Sequence, residues 1–220
     1  EYSLINDVAN KNCLYLYNNA DFALGIVTGD NKKYVLDVPT NKSSKLVKGS
    51  NIYKYSIQFE NHYIEFEPDN FQQVAKREYY FAKEKLLYRF ISDTLVFAYD
   101  NQQTLSLNSA NIVIPRLQGY DIKYILAVLN SSFSHFFFKK KYSSIKVLRN
   151  HIESIPIPVA SDLKQNEIIE LVNEMLTEEN SEKRILLYEK IDNLILDLYS
   201  FSDDEKRTII HSRPQNLFLY

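Results

Sequence analysis

The chain has 220 residues, enough for one substantial core or for a compact body with a helical appendage. Hydrophobic residues make up 45% and charged residues 25%, an ordinary globular balance, although 17 Tyr, 13 Phe and only 4 Gly are less ordinary. A net charge of −2, one cysteine (Cys13) and no apolar run of spanning length argue against a strongly basic DNA binder, a disulfide framework, a cysteine-cluster zinc site and a membrane span.

Charge is unevenly spread. Residues 1–160 carry 19 basic against 15 acidic side chains, and residues 161–220 carry 7 against 13. A mildly basic body with an acidic tail is compatible with nucleic-acid contact through the body. A lone Cys13 and the lack of a signal-peptide pattern fit a reducing cytoplasm. The chain opens on Glu1 and its one methionine is Met175, so it reads as a piece of a longer polypeptide.

In chain order, Phe22–Thr28 reads as a strand entering the turn TGDNKK, where Gly29, Asp30 and Asn31 supply turn chemistry. Pro39–Ser44 is a polar loop. Ile52–Phe59 alternates as IYKYSIQF and is expected to form a hairpin with His62–Phe66. A short helix is expected around Phe71–Phe81. Leu86–Ile91 and Leu95–Tyr99 read as strands, Asn101–Ser109 as a polar loop and Asn111–Pro115 as another strand.

Asp121–Phe138 has apolar residues at 122, 125, 126, 129, 133, 136 and 137, the spacing of one long helix capped by Asp121. After Pro156 and Pro158 the texture turns helical: Leu163–Leu176, Ile185–Leu198 and a short helix capped by Ser202. The expected fold is α+β. A mostly antiparallel sheet with a long packed helix forms a body over residues 1–160, and a helical hairpin forms a tail over residues 161–220.

Catalytic patterns are missing. Gly25, Gly29, Gly49 and Gly119 form neither G-x-G-x-x-G nor a P-loop, and no Pro-Pro pair is present to hold a flipped adenine. His62, His135, His151 and His211 lie far apart with no metal-ligand spacing, so each reads as structural or solvated, and Cys13 as a small core residue. Pro68-Asp69 with Asp121-Ile122-Lys123 faintly suggests a nuclease, but Asp121 is better explained as a helix cap. What remains is three basic clusters at predicted loops: Lys32 and Lys33; Lys45, Lys48 and Lys54; and Lys139, Lys140, Lys141, Lys146 and Arg149. Any one of these lysines is most simply a solvated surface residue. Three clusters at loops bring phosphate contact into view.

Four phrases carry a family signal: ALGIVTGDNKKYV, LVKGSNIYKY, EKLLYRFISDTLVFAYDNQQTLSLNSANIVI, and YILAVLNSSFSHFFF with its distant IPIP. They resemble the TaqI-like C-terminal specificity domain, the target recognition domain of adenine-N6 methyltransferases and of type IIG or IIS restriction-modification enzymes. The tail resembles the helical segment that closes such domains. VLNS and Ser50 depart slightly from the family pattern. The resemblance implies a non-catalytic module that selects a sequence in double-stranded DNA, in a bacterial or archaeal cytoplasm. S-adenosylmethionine, and Mg2+ where an endonuclease is fused, would belong to methyltransferase or nuclease domains of the same polypeptide.

On that resemblance Lys32, Lys33, Lys48, Lys54, Lys139, Lys140, Lys141 and Lys146 are candidate phosphate contacts. Asn31, Asn51, Arg89, Asn101, Gln102, Gln103 and Ser143 are candidate readers of base edges. The recognition chemistry is expected at the Asn101–Gln103 tip and the Lys139–Lys146 loop. The alternative is a protein-interaction or scaffold module in which the lysines are merely solvated.

Overall fold

The computed structural model describes residues 2–9 and 11–220. In chain order the elements are α1 (Tyr2–Ala9), β1 (Cys13–Leu14), β2 (Ala20–Ala23), α2 (Asn31–Tyr34), β3 (Ser43–Val47), β4 (His62–Glu65), α3 (Arg77–Tyr80), β5 (Lys85–Arg89) and β6 (Phe97–Asp100). There follow β7 (Leu105–Ser106), β8 (Ala110–Pro115), α4 (Ile122–Asn130), α5 (Ser132–Tyr142), α6 (Arg149–Glu153), β9 (Ile157–Pro158), α7 (Asp162–Thr177), α8 (Ser181–Leu198) and α9 (Asp203–His211).

A four-stranded antiparallel sheet, ordered β2-β8-β5-β6, forms the middle layer. Its inner strands β5 and β8 are buried on both faces, which is why LLY and IVI read as unbroken apolar runs instead of alternating. Leu86, Tyr88 and Val113 turn to the helices, while Leu87, Ile112 and Ile114 turn to a second sheet ordered β4-β3-β7. In that sheet β3 runs antiparallel to β4 and parallel to β7. The third layer is helical. α4 lies on the sheet, α7 and α8 pack on α4, and α9 packs on α5. Ile168, Val172, Leu187 and Ile191 of the tail share one buried cluster with Val128 and Phe133 of the body. The architecture is α+β, as the pattern predicts.

Three local expectations differ. The long helix is two, because Ser131 leaves helical geometry (φ −67°, ψ 159°) and caps α5 by accepting a hydrogen bond from Ser134 N–H at 3.2 Å. Asn130 locks the break: its Oδ1 accepts from Phe97 N–H at 3.0 Å and its Nδ2 donates to the Phe97 carbonyl at 2.9 Å. The hydrophobic period does not register the interruption because residues 124–138 are buried without a break through both helices.

The hairpin partner of β4 is β3, with Lys45 opposite Tyr63. Ile52–Phe59 instead forms a tight loop, with Ile52 bridging Ile57 and Tyr55 at φ 72°. Its alternation reflects buried Ile52, Lys54 and Tyr55 gripped from several sides. The helix expected over Phe71–Phe81 is confined to α3.

Candidate nucleic-acid interface

The TGDN turn works as the residue types predict. Gly29 takes φ +81°. Asp30 Oδ1 accepts from Lys33 N–H at 3.2 Å to cap α2, and Thr28 Oγ1 donates to Asn31 Oδ1 at 2.6 Å. The turn thereby presents Asn31 and Lys32 to a cleft of about 410 Å³ whose other walls include Lys48, Asn51 and His62. Residues of two phrases, Lys32 and Lys48, sixteen apart in the chain, so meet at one surface. Lys33 turns away, its ammonium 4.9 Å over the Tyr34 ring.

Lys48 leads into the turn Gly49–Asn51, which crosses the β7–β8 connection at very short range. Gly49 N–H donates to Ser109 Oγ at 2.9 Å, and a methyl group at Gly49 would stand 2.5 Å from the Ser109 carbonyl oxygen. Glycine is required there because a backbone passes too close for any side chain. Ser109 continues the line: its carbonyl accepts from Phe90 N–H at 3.0 Å, and the Phe90 carbonyl accepts from Val147 N–H at 2.8 Å. The Ser109 hydroxyl and two main-chain hydrogen bonds therefore tie the Lys48 turn to the Lys146 loop along one rim at the Arg89 end of β5. Lys48 and Lys146 are exposed there, Lys48 pairing at 3.5 Å with an exposed Glu60.

The Asn101–Gln103 tip lies at the other end of the same strands, since Asp100 pairs with Lys85, the first residue of β5. All three tip residues are exposed. Gln102 Oε1 accepts from Lys45 Nζ at 3.1 Å, whereas Gln103, at φ 55°, donates its Nε2 to the Phe81 carbonyl at 2.8 Å. Tip and Lys146 loop are thus not one site. β3 spans between them, with Lys45 and Lys48 about 10 Å apart on extended chain.

In the Lys139–Lys146 segment the residues also part company. Lys139 is exposed, while Lys140 and Lys141 line a separate cavity of about 570 Å³ with Tyr15, Tyr17, Phe137 and Asn150. Ser143 adopts φ 45°, ψ 39° and donates Oγ to the Lys139 carbonyl at 3.0 Å, so its hydroxyl closes the end of α5.

Three candidates face inward. Lys54, expected on phosphate, is 1% exposed. Its Nζ donates to the Asn130 carbonyl at 3.0 Å, closing the end of α4, and stands 5.1 Å over the Tyr188 ring. Burial pushes this ammonium down to about 8, against the pull of Asp192. Asn51, expected on a base edge, is likewise 1% exposed, and its Oδ1 accepts from Lys48 N–H at 2.9 Å. Both assignments are corrected: these side chains satisfy buried backbone and cannot reach a duplex. Arg89 is half-buried, with Nε donating to the Ile52 carbonyl at 2.7 Å and its guanidinium over Tyr53 and Phe218.

Arg184 of α8 completes this grip. It donates to the Leu219 and Met175 carbonyls at 2.8 Å, to Glu178 at 2.9 Å and to Lys54 at 3.2 Å. Lys54 N–H in turn donates to the Phe218 carbonyl at 2.6 Å. The loop behind Lys48 is therefore held by tail and C-terminal segment together. Sequence reading missed this role of Arg184, which looks in one dimension like any helix-surface arginine. Lys123, also missed, faces the same cleft as Lys45 and the tip.

Among the described residues, no three His, Cys, Asp or Glu side chains gather so as to hold a metal ion, and no helix is long and apolar enough to cross a membrane. No curated protein matches the chain. Among solved structures, a similar chain is the type IIL restriction-modification enzyme MmeI, in complex with DNA, with TM-score 0.57 and 11% identity over 90% of this chain and 33% of that one. The present chain spans about a third of that enzyme's length, and the likeness is one of fold. A family model described as the TaqI-like C-terminal specificity domain matches residues 44–157, from β3 to β9, taking in Lys45, Lys48, the Asn101–Gln103 tip and the Lys146 loop. With more than half of its length matched, the chain belongs to the TaqI-like C-terminal specificity domain family.

Proposed function

We propose that this chain is the double-stranded-DNA recognition module of a restriction-modification enzyme, non-catalytic by itself. On this reading it works beside a methyltransferase domain that uses S-adenosylmethionine on adenine N6, with or without an endonuclease domain. The observation that carries it is the rim: Asn31 and Lys32 share a cleft with Lys48, and hydrogen bonds through Ser109 and Phe90 connect the Lys48 turn to the Lys146 loop, so three distant segments meet. Exposed ammoniums beside amides are what phosphate neutralisation and base-edge contact need. Lys32, Lys48, Lys139 and Lys146 are assigned to phosphates, and Asn31, Asn101 and Gln102 to base edges. S-adenosylmethionine is assigned to a neighbouring domain, since Gly25, Gly29, Gly49 and Gly119 build no glycine-rich turn for it here. Leu163 and Leu186, 83% and 58% exposed on α7 and α8, suit docking against such a domain.

The test is duplex binding across a salt series. The expected affinity is weak and falls steeply with salt, and K32Q, K48Q and K146Q each lower the log–log slope by about one. Binding indifferent to salt, or unaltered by all three substitutions together, would overturn the reading in favour of a protein-interaction module. Charge reversal at Lys139 sharpens the choice, because a scaffold would tolerate it.

A further inference from the structure

The cleft at the Asn101–Gln103 tip encloses about 590 Å³ between β3, the Tyr55–Phe59 loop and the tip on one side, and the start of α4 and end of α7 on the other. Two ammoniums enter it from opposite walls. Lys45 Nζ donates to Gln102 Oε1 at 3.1 Å and stands 5.2 Å over the Phe59 ring. Lys123 Nζ donates to Asn173 Oδ1 at 2.7 Å and stands 5.2 Å over the Tyr99 ring. Each cation is oriented by a neutral amide oxygen and an aromatic face, and among the described residues neither forms an ion pair with a carboxylate.

Among the described residues that line it, Asp100 supplies the only carboxylate, and it is neutralised from behind. Its Oδ2 lies 2.6 Å from the buried Lys85 Nζ and accepts from Thr104 N–H at 3.0 Å, while its Oδ1 accepts from Gln102 N–H at 3.4 Å. By contrast, Lys48, Lys164 and Lys206 are matched to Glu60, Glu167 and Asp197 respectively. A cleft with two unmatched ammoniums is an anion site, since an incoming negative charge gains Coulomb energy without first displacing a carboxylate.

We propose that this cleft binds a phosphate group between Lys45 and Lys123, carried by the backbone of a nucleic-acid strand. The source of the phosphate rests on the DNA-recognition reading; the anion chemistry does not. Asn173 of the acidic tail then has a positioning role, holding Lys123 toward the cleft.

The experiment pairs two probes on the full chain: inorganic phosphate followed by backbone amide shifts in NMR, and a duplex followed by anisotropy across salt. Phosphate is expected to shift the amides of Asn101–Thr104 and Lys123, and K45Q/K123Q to abolish that response. In the duplex series the double substitution is expected to lower the log–log salt slope by about two, and K164Q to leave it unchanged. A normal phosphate response and slope in K45Q/K123Q would overturn the proposal. A lost slope contribution with no response to free phosphate supports it for backbone phosphate alone. A phosphate response lost in the double variant, with no duplex binding by the parent chain, upholds the anion site and sinks the DNA reading. Salt-dependent duplex binding whose slope ignores both lysines does the reverse.

Discussion

The rim along β3 and the seam beneath the tail helices both carry basic side chains, and they use them in opposite ways. At the seam Lys54, Arg184 and Arg213 sit on the carbonyls of Asn130 and Leu219 and on the buried Asp192 carboxylate. A cation taken out of water must find its acceptors inside the protein, so these groups are committed to the fold. At the rim Lys32, Lys48 and Lys146 are exposed to water. Their interactions are replaceable, which is what a ligand requires. Lys48 and Lys54 stand six residues apart in one phrase and fall on opposite sides of this divide.

The largest expected effect comes from breaking the seam. R184M removes the donors that hold Leu219, Met175 and Lys54. It leaves several buried carbonyls without a donor, at about 1–3 kcal/mol each, and is expected to lower Tm by about 10 °C. Thermal unfolding checks this, and a Tm near that of the parent would show that the seam does not hold the loop.

Next is the pH signature of Lys54. Its folded pKa is about 8 and its ordinary value 10.5. Between these values the unfolded chain keeps a proton that the folded chain has released, so this residue's contribution to stability rises with pH. The rise is about 1.4 kcal/mol per unit, about 3 kcal/mol at most. Above pH about 10 the buried Tyr55 and Tyr124, whose pKa values are raised by burial, hold protons that the unfolded chain loses, and stability falls. Chemical denaturation of K54M beside the parent isolates the first effect: the climb between pH 8 and 10 should flatten in the variant.

The smallest change sharpens the comparison from the rim. G49A pushes a methyl against the Ser109 carbonyl, at an expected cost of about 1–3 kcal/mol. Because Ser109 connects Lys48 to Lys146 through Phe90, the variant should lose duplex affinity beyond what its modest Tm decrease explains. Equal losses in G49A and in a seam variant of matched stability would remove the rim's special status.

Much of the fold was legible. The strands β5, β6 and β8 and the helices α7, α8 and α9 cover the spans their apolar spacing predicts, with Asp121 and Ser202 accepting the expected capping hydrogen bonds; α8 starts four residues before Ile185, capped by Asn180 in the expected linker, and Ser161 caps α7. What escaped is non-local. The α4–α5 break depends on Asn130 meeting Phe97 across the core. The pairing of β4 with β3 depends on which strand the buried Ile52–Phe59 loop leaves available. Among the proposed contacts, exposure could be guessed for residues on turn chemistry, such as Asn31 and Lys32. It failed for Lys54 and Asn51, where alternation looked like a half-exposed strand.

The sequence alone determined that this chain is an α+β body with amphipathic tail helices, since hydrophobic period, caps and turn residues act over a few neighbours. It also determined family membership, through phrases that survive as local scaffold. Tertiary structure decided which charges are buried and which meet in a cleft. Desolvation and Coulomb energy depend on distances that close only when remote segments pack, so no local pattern could record that Lys123 would face Lys45, or that Lys54 would face away.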